Sequence, residues 1–288
     1  AQGARAALKL TVGLDLVTGR LAAAPSDGRA QDKAGPLQHA PLPAGALRVT
    51  DLGFWSLAVL QEIADQGAYF LSRLHLQTAV FAAGERLDLA EWLGRQPRRR
   101  PSVAVALGVE ARVAARLLAV RVPRRVAEAR RATIRADAKR EGEAPSAPKL
   151  ALADWTLLVT NAPPDVLAIR EALVLARARW QIELLFKPWK SGGGLDEWRS
   201  ADPDRVLCEV YAKLTALVVQ HWLLLVGCWA FADRSLAQAA RTVRDHAVAL
   251  LLALPSPRAV GAALAAITRG LAAADRVASR RKRPSLFQ

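Results

Sequence analysis

The segment Ala178-Arg-Trp-Gln-Ile-Glu-Leu-Leu-Phe-Lys-Pro-Trp-Lys190 carries two interleaved patterns. Arg179, Glu183 and Lys190 are spaced so that all three fall on one face of a helix. The pattern predicts a helix that is anchored in a core and presents a cation, a carboxylate and a second cation. A solvated amphipathic helix with an i,i+4 Arg/Glu pair explains the same spacing. The anchoring stripe is apolar and consists of Ile182, Leu185, Phe186 and Trp189.

The charged row resembles the signature helix of bacterial insertion-sequence transposases of the DDE type, whose pattern is Tyr-x2-Arg-x3-Glu-x6-Lys. Arg179, Glu183 and Lys190 occupy the last three positions, and Ala176 stands at the tyrosine position. In the family this tyrosine helps to hold the DNA end, so its replacement removes that contact. The resemblance implies a cut-and-paste transposase of an insertion sequence, which hydrolyses and transfers phosphodiester bonds at transposon ends.

The distribution of charge also indicates a nucleic-acid partner. Lys and Arg number 41 against 26 Asp and Glu, which gives a net charge of +15. The stretch from Gly94 to Arg140 holds 14 basic and 3 acidic residues. Such a concentration suits a polyanion, because each phosphate that a cation neutralises releases condensed counterions. A generic basic surface, produced by an arginine-rich coding bias, is the alternative.

The cysteines and the chain start bear on compartment and completeness. Cys208 and Cys228 lie in apolar helical context, which predicts reduced core residues of a cytoplasmic protein and neither a disulfide nor a zinc site. The four histidines show no ligand spacing. The sequence contains no Met, and the resemblance favours an N-terminally truncated fragment.

The first part of the chain predicts an α/β arrangement. Its residues alternate between apolar and polar from Leu8 to Leu16, which is typical of a half-buried strand, and Thr18-Gly19 predicts a turn. The resemblance implies a ribonuclease-H-like core that lacks its first strand. The further elements predicted here are a returning strand at 20–24, a strand at 46–51, a helix at 55–66 and a strand at 68–72.

The middle of the chain predicts a β-rich basic insertion, which family members carry between their second and third acidic residues. A strand at 155–160 would then re-enter the core, and Asn161 or Asp165 could cap a long signature helix that begins near Val166. The predicted domains are 1–74 and 151–200 for the two parts of the core, 75–150 for the insertion and 201–288 for a helical C-terminal region. The insertion is predicted to contain strands at 78–81, 102–109 and 115–122 and a helix at 124–143.

The C-terminal third predicts helices. Residues 214–232 are nearly all apolar, which raises a membrane-spanning interpretation, but Gln220 and His221 near the centre favour a buried or partner-packing helix and no membrane. Two further helices are predicted at 236–254 and 258–274.

The chemistry implied by the resemblance is two-metal catalysis. Two Mg²⁺ or Mn²⁺ ions suit a site of carboxylates without His or Cys. Glu183 is the predicted third carboxylate of the triad, and Asp51, in Val-Thr-Asp-Leu-Gly-Phe-Trp at a strand end, is the predicted second. A turn aspartate is the alternative for Asp51. Arg179 and Lys190 would each hold a phosphate of the DNA end.

Two further expectations concern completeness and DNA contact. The family's first aspartate lies upstream of the Leu8 strand, and Asp15 on the polar face of that strand is no substitute. We therefore expect an incomplete metal site and no transposition by this chain alone. Trp155 stands where similar transposases stack a flipped base, although a core tryptophan explains it almost equally well.

The resemblance also names partners. DNA, as transposon ends and target, is the expected substrate, and a homodimer formed through C-terminal helices is expected of the complete enzyme. A DNA-binding remnant without catalysis is the alternative. Coding DNA upstream separates the two, since an in-frame strand ending in Asp-Ser-Thr would indicate an enzyme and a stop codon a remnant. A membrane-associated basic protein is the third possibility.

Overall fold

The chain forms two compact units, each described here by itself. One comprises residues 29–179 and is called the sheet unit; the other comprises residues 1–28 with 180–288 and is called the helical unit. The computed structural model describes residues 8–27, 35–179, 182, 189, 194–195, 197–228 and 236–274. The strands are β1 Leu8–Leu14, β2 Leu21–Asp27, β3 Leu47–Thr50, β4 Tyr69–Arg73, β5 Val80–Ala82, β6 Glu85–Arg86, β7 Ser102–Leu107, β8 Val113–Arg121 and β9 Trp155–Thr160. The helices are α1 Leu57–Asp65, α2 Leu89–Gly94, α3 Arg124–Glu141, α4 Ala147–Leu152, α5 Ile169–Ala178, α6 Pro203–Cys228, α7 Leu236–Asp245, α8 Ala247–Ala253 and α9 Pro257–Ala274.

The sheet unit is built on a mixed sheet of seven strands in the order β3-β4-β9-β8-β7-β5-β6. β3 runs parallel to β4, while the other pairs are antiparallel. The expectation of an α/β fold is confirmed at this level. Strands 102–109 and 115–122 of the predicted insertion are observed as β7 and β8, and β8 pairs directly with β9. Strands from the predicted insertion and from the predicted second part of the core therefore belong to one sheet. The division of the chain into four domains stays a proposal.

The central strands are buried on both faces, which explains why they read as continuous apolar runs. Phe70, Leu117 and Val159 face a core that includes Val59, Leu60 and Ile63 of α1. Leu71, Leu118 and Leu158 face a second core that includes Ala172 of α5. The sheet thus lies between α1 and α5. This packing fixes the positions of the carboxyl end of β3 and of the end of α5.

The start of α5 differs from the prediction. The helix begins at Ile169 instead of near Val166, and Glu171 accepts a hydrogen bond from the Ala168 amide at 2.9 Å. Asn161 does not cap it. Its Oδ1 accepts from the Phe70 amide at 2.8 Å and its Nδ2 donates to the Ala68 carbonyl at 2.9 Å, so the side chain extends the β9–β4 pairing.

The helical unit combines the β1–β2 hairpin with the C-terminal helices. The hairpin forms a two-stranded sheet of its own among the described residues. The sequence predicts these strands as part of the core. Leu10 and Val12 of β1 instead pack with Val210, Leu214 and Leu217 of α6, so α6 covers the apolar row that the alternating sequence produces.

A glycine turn and a buried histidine fasten the hairpin to α6. Gly19 has φ +71°, and a Cβ there would lie 2.4 Å from Cδ2 of Leu225, so both the backbone and the packing require glycine. His221 is 3% exposed, and its Nε2 lies 2.7 Å from the Gly19 carbonyl oxygen. Because a carbonyl only accepts, Nε2 must be the protonated ring nitrogen. Burial lowers the pKa of His221, and the bond to Gly19 opposes part of that shift.

Burial of His221 should make the stability of the protein depend on pH. The unfolded chain takes up a proton near the ordinary pKa of 6.5, whereas the folded state resists it. Neutral His221 therefore makes its full contribution to the free energy of unfolding above that pH, and this contribution is lost as the pH falls. We expect the histidine Cε1 resonance that disappears in His221→Gln to titrate below its usual range in an NMR titration. The unfolding temperature of the wild type should fall more between pH 8 and pH 5.5 than the unfolding temperature of His221→Gln.

The control for this experiment is His75→Gln, which lies in the sheet unit. An equal change in pH dependence in both variants would contradict the assignment to His221.

The C-terminal third differs from the prediction at Cys208 and in its helix boundaries. Cys208 is exposed, so its prediction as a core residue is wrong. Its neighbours Val210 and Leu214 point into the core, while Cys208 lies on the opposite face of the same helix. No described helix has the length and hydropathy needed to cross a membrane. The predicted helix at 236–254 is observed as α7 and α8, which separate at His246.

Candidate active site

Asp51 lies at the carboxyl end of β3, directly after its last residue, Thr50. Its Oδ1 accepts a hydrogen bond from the Leu52 amide at 2.8 Å and so caps the short 3₁₀ turn Leu52–Phe54. The side chain is 39% exposed. Both the turn role and the strand-end position expected from the sequence are therefore present in one residue.

Arg179 comes immediately after α5 and approaches Asp51. Its Nη1 lies 3.5 Å from Oδ2 of Asp51, and its side chain is 21% exposed. The distance exceeds the 2.7–2.9 Å or so of a tight charge-assisted hydrogen bond, so this is a loose ion pair. Arg179 is the first charged residue of the signature segment. The structure thus brings the start of that segment to the predicted second carboxylate.

The rest of the signature segment is described only in part. Glu183 and Lys190 lie outside the described residues, so their predicted roles stay predictions. Trp189 is 3% exposed and packs in the helical unit with Val210 and Leu214, which agrees with its interpretation as a packing residue. Ala176, at the tyrosine position of the signature, belongs to α5 and packs against the apolar core that includes Leu71 and Leu118.

The donor set near Asp51 bears on a metal. Within the described ranges, no three His, Cys, Asp or Glu side chains are grouped as metal ligands. Asp51 itself fits a hard cation, because it offers a partly exposed carboxylate oxygen at a strand end. Oδ2, the oxygen that does not cap the turn, faces the Arg179 guanidinium, which a metal ion at this oxygen would have to displace or share.

Trp155 is the first residue of β9 and is 8% exposed. It belongs to the core of the sheet unit, and the Cζ atom of Arg121 lies 5.9 Å from its ring centroid. A cavity of about 130 Å³ adjoins the ring and is lined in part by Gln96 and Asp154. Such burial suits a core tryptophan, and stacking on DNA remains a prediction.

Two arginines that sequence reasoning did not single out hold α3 on β9. Arg130 donates to the Trp155 carbonyl at 2.8 Å and to Oγ1 of Thr156 at 3.0 Å, and burial lowers the pKa of its guanidinium. Arg131 pairs with Asp154 at 2.6 Å. In the sequence they are two of many arginines in one basic helix, and only their position above β9 distinguishes them.

Comparison with known families agrees with this geometry. The model of the transposase DDE domain family matches residues 1–219. The chain belongs to the transposase DDE domain family, as the resemblance of the signature segment predicted.

Individual relatives are insertion-sequence transposases of Bacillus thuringiensis. The chain is 26% identical over 198 residues to the transposase for insertion sequence element IS231E of subsp. finitimus, a match that covers 62% of this chain and 41% of the relative. It is 28% identical over 195 residues to the transposase for IS231F of subsp. israelensis, with 61% and 41% covered. The chain thus spans less than half the length of these relatives.

Proposed function

We propose that this chain is the catalytic part of an insertion-sequence transposase that cuts and transfers DNA phosphodiester bonds at transposon ends. One observation carries the proposal: Arg179 of the signature segment lies 3.5 Å from Asp51 at the end of β3. Two positions that are distant in sequence, and that the family pattern assigns to one site, are neighbours in the fold. Family membership supports the same reading.

The proposed site divides the work between two kinds of side chain. Asp51 and Glu183 would hold Mg²⁺ or Mn²⁺, two ions in the complete enzyme. Such ions make an attacking hydroxyl more acidic and stabilise charge on the leaving oxygen. Arg179 and Lys190 would bind phosphates of the DNA end and orient the scissile strand. Because Arg179 lies beside Asp51, a phosphate that it held would lie next to the ions.

The finer structural assignments belong to the same proposal. The seven-stranded mixed sheet with helices on both faces would be a ribonuclease-H-like core. The complete enzyme would act as a homodimer on DNA in the cytoplasm. Trp155 would reach a base only if the residues around its cavity move, because the ring is 8% exposed.

An excision assay tests the proposed function. The complete gene that encodes this chain is expressed in bacteria beside a marker flanked by the DNA that borders the gene, which supplies the candidate ends. We expect the marker to leave its donor site and to reappear joined to new DNA, and we expect neither event with an empty vector. Binding to the flanking DNA without excision would contradict the proposal and indicate a DNA-binding remnant.

A further inference from the structure

Six arginines gather at one end of the sheet unit. Arg121 ends β8, and its amide donates to the Arg99 carbonyl at 2.9 Å, so the segment before β7 runs beside the end of β8. A second bond of 3.0 Å, from the Ala119 amide to the Pro101 carbonyl, fixes the same alignment. All six side chains are exposed. This arginine patch consists of Arg98, Arg99, Arg100, Arg121, Arg124 and Arg125.

Carboxylates near the arginine patch are largely engaged elsewhere. Asp154 pairs with Arg131 at 2.6 Å, and Glu91 pairs with Arg95 at 2.5 Å. Glu128 pairs with Arg124 at 2.7 Å, but side chains so exposed gain little from pairing in water. The patch therefore keeps a strong positive charge.

Folding alone does not explain where these arginines stand. Arg124 and Arg125 open α3, whose first turn contains no acidic residue. Cations at a helix N-terminus oppose the helix dipole, and like charges crowded together repel one another. Arg130 and Arg131, farther along the same helix, make partly buried contacts, whereas the patch arginines are exposed to solvent. An external anion would offset the unfavourable placement.

We propose that the arginine patch docks on the phosphate backbone of duplex DNA without reading its sequence. The proposal rests on the proposed function, which makes DNA the substrate, and it assigns a second DNA contact besides the Asp51 site. Guanidinium groups match phosphate oxygens with two parallel hydrogen bonds. Trp155, the ring beneath Arg121, is buried, so this surface presents charge and not a stacking platform for single-stranded bases.

Salt dependence of binding tests the patch directly. Each phosphate contact contributes a slope of about 0.9 in log K against log salt, so Arg98→Gln, Arg99→Gln and Arg100→Gln together should flatten the slope by about 2–3. At ~0.1 M salt this corresponds to a loss of about 10²–10³-fold in affinity. The measurement uses fluorescence anisotropy of the full chain with a 30-base-pair duplex of arbitrary sequence, in EDTA.

The matched control removes the same charge at the other end of α3. Arg135→Gln, Lys139→Gln and Arg140→Gln lie about 20 Å from the patch along the helix, and all three side chains are exposed. They should leave the slope nearly unchanged. Arg124→Gln with Arg125→Gln is a second patch variant, expected to flatten the slope by about 2 and to raise the unfolding temperature slightly.

Each remaining outcome would overturn the proposal. Equal losses in the patch and control variants would show that only total charge matters. Stronger binding to single-stranded RNA than to duplex DNA would assign the patch to a different partner. Absence of DNA binding by the wild type would show that the arginine patch is not a DNA-binding surface. Failure of the proposed function would appear separately, as absent excision, because the binding assay contains no metal and requires no catalysis.

Discussion

Replacement of Asp51 by Asn is expected to lower excision about 10³-fold in the assay above, because loss of one metal-holding carboxylate removes several kcal/mol of transition-state stabilisation. The fold should persist. Asn keeps the Oδ1 atom that accepts from the Leu52 amide at 2.8 Å. Asn and Asp cap helices about equally well, so the free energy of unfolding should change by less than about 0.5 kcal/mol.

Asp88→Asn is the matched control for this substitution. Asp88 is an exposed aspartate in the same unit, and it caps α2 by accepting from the Glu91 amide at 2.9 Å. Its replacement makes the same chemical change at a comparable cap and should leave excision unchanged. Wild-type excision by Asp51→Asn, or equal losses in both variants, would show that Asp51 has only the structural role of a turn aspartate.

Glu183→Gln is expected to cause a loss of similar size, about 10³-fold, and the double variant with Asp51→Asn should lose little more. The physical reason is that both carboxylates would hold the same ions, so removal of either one disables the pair. Independent roles would instead multiply the two losses to about 10⁶-fold.

Glu171→Gln serves as the control for this comparison. Glu171 lies on α5 and accepts from the Ala168 amide at 2.9 Å, a bond that Gln can preserve. Excision by this variant should match the wild type. Multiplicative losses in the double variant of Asp51 and Glu183 would contradict a shared metal site even if each single variant is inactive.

The strands were predictable because their apolar patterns are local. The strand predicted at 155–160 is observed as β9 with the same bounds, and the one predicted at 68–72 is observed as β4, one residue later. Strands buried on both faces carry a continuous apolar run, as β9 does with Leu157, Leu158 and Val159. Such runs identify a strand without any knowledge of its neighbours.

Polar contacts between distant segments were not predictable in this way. Asn161 has the residue type of a helix cap, yet its amide completes the pairing of β9 with β4. The segment before α5 is instead held by Arg116, which donates to the Ala162 and Leu167 carbonyls at 3.0 and 2.5 Å. Burial lowers the pKa of Arg116, as expected for a guanidinium withdrawn from water. These partners lie far apart in sequence, so no spacing announces them.

The candidate site shows the same division. The motif around Asp51 and the charged row from Arg179 were each visible in the sequence as local patterns. Their approach to 3.5 Å depends on the packing of α5 against the sheet, which brings the end of α5 to the carboxyl end of β3. Likewise, composition located the basic region. Only the backbone hydrogen bond from Arg121 to Arg99 distinguishes the arginine patch from the arginines that hold α3 in place.

A crystal structure of the full chain grown with Mn²⁺ and examined by anomalous diffraction tests the central claim most directly. We expect a manganese peak that carboxylate oxygens of both Asp51 and Glu183 contact at about 2.2 Å, the distance usual for hard divalent ions and oxygen ligands. A structure in which these two carboxylates lie too far apart to be bridged by one ion, or by two ions about 4 Å apart, would contradict the proposed metal site.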